Sequence, residues 1–247
     1  MTKYVLFDTE TTGNQKEDKI IQIGAMVVGS RGEVTVYDEL CSCDIPIKTE
    51  AMEVHNITPE LLVGKTPFNT TKFYRDLTML NNEQNYLIAH NIQFDLGMLE
   101  KEGFNNRMKL IDTLRCSKHL FPDSDYHRLQ YFRYSLGLYK EEQQEAQKHN
   151  IVIKAHDAIG DVLVMKLLLS KLVVKVKEQY RGVNPMVKLE ELTSTPVVLK
   201  NFKFGKYKGE EIADIARSDA GYIRWMLKTL ELDEDLKYTL ERILENV

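Results

Sequence analysis

Cysteine is scarce in this chain, with Cys41, Cys43 and Cys116 the only three among 247 residues. An odd count this small excludes a disulfide framework, and Cys41-Ser42-Cys43 has the spacing of neither a zinc knuckle nor a redox pair. The thiols read as small apolar side chains in a reducing cytoplasm. Long hydrophobic runs are missing as well. No stretch approaches the roughly 20 apolar residues of a membrane span. The apolar run at residues 4–7 is far too short for a signal peptide and precedes no small-residue cleavage site. A soluble, cytoplasmic protein without a membrane partner is expected.

An excess of positive charge is absent too: 33 Lys and Arg face 37 Asp and Glu, for a net charge of −4. Proteins that coat nucleic acid through many phosphate contacts are basic. Any such contact here is expected to be local, with a short footprint, easy release and metal cations supplying part of the positive charge. Internal repeats and low-complexity tracts are not seen. What remains is an ordinary globular composition, long enough to bury a core without staples.

Apolar, strand-forming runs at residues 4–7, 20–28, 34–41, 86–89 and 109–111 predict five strands, with Gly29 to Gly32 turning the second into the third. Helical periodicity predicts helices over 69–80, 94–102, 113–120, 126–136, 140–149 and 156–177, and Thr58-Pro59 reads as a further helix start. Strands followed by helices after an early antiparallel meander imply an α/β domain around a mixed five-stranded sheet. That domain is expected over 1–178. A linker with some local order is expected over 179–196, and a small α+β domain over 197–247.

Three places carry chemistry. Asp8 and Glu10 close the first strand, and side chains two apart share a face, so both carboxylates project together. Such a pair repels itself unless a divalent cation sits between. Asp95 lies just after the fourth strand at a helix start, where the helix dipole alone also favours an acid. Asp161 lies on the long helix, with His156 near its beginning. Each feature alone is ordinary. Together they put four acids and a histidine along one sheet edge, the composition that a two-metal phosphoryl-transfer site requires.

Phe7-Asp8-Thr9-Glu10-Thr11-Thr12-Gly13, Ala89-His90-Asn91-Ile92-Gln93-Phe94-Asp95 and His156-x-Ala158-x-x-Asp161 resemble the three motifs of the DEDDh exonuclease superfamily, in order and spacing. The resemblance covers roughly residues 1–175. It implies a ribonuclease-H-like fold and two Mg²⁺ ions, with Mn²⁺ as a substitute. It further implies Asp8, Glu10, Asp95 and Asp161 as metal ligands, His156 as general base, and 3′→5′ release of nucleoside 5′-monophosphates. Glu50-Ala51-Met52-Glu53-Val54-His55-Asn56-Ile57-Thr58 is similar to a stretch of proofreading subunits that approaches the terminal nucleotide. Glu50, His55 and Ile57, with Thr9, Thr11 and Asn91, are the implied substrate contacts, Ile57 packing on the base. Asn56 stands where many relatives carry Gly.

The segment Phe202-x-Phe204-Gly205-Lys206-Tyr207-Lys208-Gly209, with Asp219-Ala220-Gly221-Tyr222-Ile223-Arg224-Trp225-Met226, resembles the C-terminal part of the exodeoxyribonuclease X family. That resemblance implies action on DNA 3′ ends, single-stranded or duplex, in repair or end trimming. Ala220 replaces a frequent proline, from which a looser helix start is expected. Lys200, Lys203, Lys206 and Lys208 are interleaved with Phe202, Phe204 and Tyr207. They read either as phosphate contacts with bases stacked on the rings, or as a two-stranded hairpin with packed aromatics and solvated lysines, in a structural, dimerising or protein-docking role. Trp225 is expected in the core. RNA trimming, a polymerase-associated proofreading subunit and a non-enzymatic scaffold are the alternatives, and no protein partner is identifiable.

Overall fold

The computed structural model describes residues 1–153 and 157–245. Five strands form one sheet: β1 (Lys3–Thr11), β2 (Ile20–Gly29), β3 (Val34–Leu40), β4 (Tyr86–Ala89) and β5 (Lys109–Asp112), in the order β3-β2-β1-β4-β5. β1 pairs antiparallel with β2 and parallel with β4; β2–β3 is antiparallel and β4–β5 parallel. This is the mixed five-stranded α/β sheet expected from the sequence.

Between the strands and after them run α1 (Thr49–His55), α2 (Lys72–Leu80), α3 (Ile92–Lys101), α4 (Thr113–Leu120), α5 (Leu129–Ser135), α6 (Tyr139–His149), α7 (Ala158–Gln179) and α8 (Pro185–Ser194). Alternation along β1 sends Leu6 toward a core shared with Ile159, Val162 and Leu163 of α7. Val5 and Phe7 go into a second core with Phe73 of α2 and Leu96 and Leu99 of α3. The sheet is thus covered by helices on both faces.

Local departures have identifiable causes. Thr58-Pro59 opens only a short 3₁₀ turn, Pro59–Leu62, without a side-chain cap from Thr58. The helix in that region comes earlier, as α1, and ends where Asn56 adopts a left-handed conformation with φ 58°. Asn tolerates that region better than other side chains, which explains how it stands in for Gly. The expected linker 179–196 contains α8, whose Leu189 and Leu192 are buried in the α7-side core.

The chain divides into compact units at Met1–Thr193 and Ser194–Val247. The second unit holds α9 (Ile212–Ser218), α10 (Ala220–Thr229) and α11 (Glu234–Leu244), around Phe202, Ile212, Ile223, Met226 and Leu240. Its only β pairing among the described residues is an isolated bridge between Asn201 and Glu211, so the unit is helical where an α+β pattern was expected. Asp219 caps α10 by accepting a hydrogen bond from the Tyr222 N–H at 3.1 Å, with Ala220 the first residue of the helix.

Candidate active site

Asp8 and Glu10 leave β1 on the face covered by α7 and stand opposite Gly24 and Gln22 of β2. Gly24 permits the approach of α7: a Cβ there would lie 2.6 Å from the Ala158 carbonyl oxygen and nearer still to Ile159 N. Gln22 fixes the same helix start. Its amide donates to Asp157 Oδ1 at 2.7 Å and to Asp38 Oδ1 at 3.0 Å. One turn along α7 comes Asp161, whose Oδ1 accepts from Gln130 Nε2 at 2.6 Å. Gln130 Oε1 in turn receives Arg133, which is forked onto the buried Glu142 at 2.5 and 2.7 Å.

Asp95 arrives from the opposite face, in the first turn of α3, and is 3% exposed. The Thr9 hydroxyl donates to its Oδ1 at 2.7 Å. Thr9, on the β1 face away from Asp8, therefore reaches around the strand end to hold the third acid.

The four carboxylates form one electrostatic cluster. Burial and then the charges of Asp95, Asp161 and Glu10 push the Asp8 carboxyl well above its ordinary value, although its side chain keeps some surface open to solvent. Burial followed by Asp161 and Asp95 raises Glu10 to about 8. Burial raises Asp95 to about 7, against the opposing hydrogen bonds of Thr9. Carboxylates that disfavour one another's ionisation in a cleft are the electrostatic mark of a functional site.

Beside the cluster lies a cavity of about 530 Å³, within the range of small-ligand sites. Glu10, Thr9 and Thr11 line one wall; Glu50, Val54 and His55 of α1 line another; Phe94, Lys48 and Gln15 complete it. The loop at its mouth is pinned by buried Asp18, which accepts from Thr12 Oγ1, Gln15 N and Lys48 Nζ at 2.8, 2.6 and 2.6 Å.

The expected substrate contacts divide. Thr9, Thr11, Glu50 and His55 line the cavity. His55 is 6% exposed and bonded by both nitrogens: Nδ1 accepts from Ile57 N, and Nε2 faces the Thr11 carbonyl at 3.2 Å. Desolvation lowers its pKa, so it is a neutral ring that ties α1 to β1. Ile57 is corrected: it does not line the cavity, because its side chain is taken up in an apolar cluster with Ile21, Ile47 and Leu62. The apolar side chains that do line the cavity are Ala51, Val54 and Phe94, the last two the larger. Phe94 could have been found from its place beside Asp95; Val54 could not until α1 was known. Asn91 sits exposed at the sheet edge with φ 75°, and its N–H donates to Asp112 Oδ1. His156, the expected base, lies outside the described residues.

The sheet order and the acid cluster at the sheet edge define a ribonuclease-H-like α/β protein. Within that class the chain belongs to the exonuclease family, whose model matches residues 5–169, and it is a 3′→5′ exonuclease. A model of the exodeoxyribonuclease X-like C-terminal domain matches residues 202–231. Exodeoxyribonuclease 10 of Escherichia coli (strain K12) is 28% identical over 246 residues, 98% of either chain. DNA polymerase III subunit epsilon of Treponema pallidum is 30% identical over 145 residues, 55% of this chain and 65% of that one. Among solved structures, exonuclease X in complex with 5′ overhanging duplex DNA superposes with a TM-score of 0.55 and 20% identity, covering 77% of this chain and 99% of that one. Escherichia coli exonuclease I in complex with a dT13 oligonucleotide gives 0.51 and 18%, covering 72% and 43%. At these identities the superpositions establish the fold.

Proposed function

We propose that this protein removes nucleotides from DNA 3′ ends, with Asp8, Glu10, Asp95 and Asp161 holding two divalent cations, Mg²⁺ in the first instance. The observation that carries the reading is the cavity opening directly on Glu10, so that a terminal nucleotide seated there sets its scissile phosphate against the acids. The donor set is entirely hard oxygen, and its mutual repulsion is what a cation relieves. Mg²⁺ takes one or two carboxylates and leaves positions for phosphate and water, which four carboxylates shared between two cations would allow. When bound, the cations lower the pKa of the attacking water and stabilise charge on the leaving oxygen.

The remaining chemistry belongs to the chain. His156, placed by resemblance, accepts the proton of the water as its oxygen bonds to phosphorus and the P–O3′ bond breaks. The leaving 3′ oxygen takes a proton from solvent water, so the shortened strand ends in a 3′ hydroxyl and a nucleoside 5′-monophosphate is released. Thr9 and Gln130 orient Asp95 and Asp161. Val54 and Phe94 offer apolar surface to the terminal base, and Lys48 and Gln15 hold the rim. DNA is preferred because the relative matched over 98% of both chains is an exodeoxyribonuclease, and the solved neighbours carry duplex and single-stranded DNA. A role in repair or end trimming follows from that substrate.

The test uses 5′-labelled DNA and RNA oligonucleotides of one sequence, with Mg²⁺ or EDTA, beside Asp8→Ala. Metal-dependent shortening of DNA from its 3′ end, lost in the variant, is the expected result. Preferential shortening of RNA would overturn the DNA assignment, and shortening in EDTA the metal assignment.

A further inference from the structure

Trp225, expected in the core, is 49% exposed. On α10 it shares one exposed face with Arg224 and Lys228, while Ile223 and Met226 point into the core of the C-terminal unit. Its ring lies on Tyr222, with centroids 5.6 Å apart and planes tilted by 30°. Tyr222 meets Tyr207 edge-on at 5.1 Å, and its hydroxyl accepts from the Lys206 N–H at 3.3 Å. Gly205 adopts φ 78°, and a Cβ on it would lie 2.5 Å from that hydroxyl. Only glycine lets the loop press this closely on Tyr222. Phe204, the residue before Gly205 on this loop, is 43% exposed.

The loop that carries Phe204 and the helix that carries Trp225 are both rich in cations. Residues 200–209 contain four lysines and no acid. Lys200 pairs with Glu211 at 3.6 Å, and Lys206 pairs with Asp219 at 3.3 Å. The ammonium groups of Lys203 and Lys208 and the guanidinium of Arg224 are exposed and have no partner among the described residues. Two open aromatic rings set among unpaired cations are the combination that binds single strands, through base stacking and phosphate attraction. Protein interfaces share the enrichment in aromatics and Arg but are depleted in lysine, so it is the lysines that favour DNA as the occupant.

We propose that this face of the C-terminal unit is a second DNA-binding site, taking single-stranded DNA with its bases on Trp225 and Phe204 and its phosphates on Lys203, Lys208 and Arg224. The proposal rests on the reading of the enzyme as a DNA nuclease.

Trp225 is the only tryptophan in the chain, so its emission reports on this face alone. The experiment titrates the full chain with dT12 in EDTA, following Trp225 emission together with the anisotropy of fluorescein-labelled dT12. Quenching should saturate in step with anisotropy, weaken as salt rises and be smaller with blunt duplex. In the double variant Lys203→Glu/Lys208→Glu the quenching should disappear and binding weaken about fivefold or more, with dinucleotide hydrolysis in Mg²⁺ at the wild-type rate. Binding of dT12 without any change in Trp225 emission, unaltered in the double variant, would overturn the proposal, as would equal quenching by blunt duplex. Absence of both dT12 binding and DNA hydrolysis would instead remove the DNA reading on which it rests.

Discussion

Gly24 of β2 and Ala158 of α7 are in backbone contact, and no side chain fits between them. Gly24 is the register partner of Asp8, so the contact sets how closely Asp161 approaches the acids of β1. Gly24→Ala must push the helix off the sheet, since the obstructing atoms are backbone. Destabilisation at or above the upper end of about 1–3 kcal/mol is expected, with a rate loss on the order of 100-fold from misplaced ligands. Urea unfolding and single-turnover rates on the folded variant check both. A wild-type rate would mean that Asp161 tolerates the displacement.

Thr9→Val keeps the shape of the side chain and removes the 2.7 Å hydrogen bond to Asp95. That bond is one of the influences holding the Asp95 pKa down, so its loss should raise the pKa further. Mg²⁺ should bind roughly 10- to 100-fold more weakly, as for other groups that orient metal ligands, and the activity profile should move to higher pH. Mg²⁺ titrations of activity at several pH values test this; an unchanged half-saturating concentration would exclude the role.

Gln130→Leu should loosen Asp161 with little effect on stability, because its amide ties to Asp161 at 2.6 Å and only weakly to Arg133 at 3.3 Å. Glu142→Ala should do the reverse. It strands Arg133, forked onto Glu142 with both side chains largely buried, at about 3–5 kcal/mol. Comparing melting temperatures with rates separates the two, and similar melting temperatures would refute the division of labour.

Asp8→Asn removes the charge most surrounded by other acids. Activity should fall to background, while the metal-free protein melts at a higher temperature because a neutral amide escapes the burial, and then the repulsion by Asp95, Asp161 and Glu10, that disfavour the Asp8 carboxylate. A lower melting temperature in EDTA would contradict the picture of a cluster under electrostatic stress.

The acids also predict a pH dependence. Glu10 rises from 4.5 to about 8 on folding and Asp95 from 3.8 to about 7. Within those intervals the folded state holds more protons than the unfolded state, so the stability of the metal-free protein falls as pH climbs through them. Bound metal displaces the same protons, and its affinity should rise over that window. Melting temperatures in EDTA and in Mg²⁺ from pH 5 to 9 should therefore diverge with pH. A constant gap would show that metal and protons do not compete for these carboxylates.

The strand ends and helix starts bearing Asp8, Glu10, Asp95 and Asp161 were legible because hydrophobic period and turn residues act over a few positions. The five strands were legible for the same reason. Other features were not. α1 is a two-turn helix with His55 its one buried residue, so it leaves almost no periodic signal, and Ile57 was assigned a place that Val54 and Phe94 occupy. α8 lay hidden in a stretch read as linker, since its buried leucines are visible only against α7.

The sequence by itself determined the five strands, the helices with a strong apolar period and the identity of the acids, since these are properties of short segments. Tertiary structure alone decided which groups meet: Thr9 with Asp95, Gln130 with Asp161, Gly24 with the start of α7, and Trp225 turned to solvent instead of the core. Those outcomes depend on distances between segments far apart in the chain, which folding settles by packing density and by the need to pair each buried polar group.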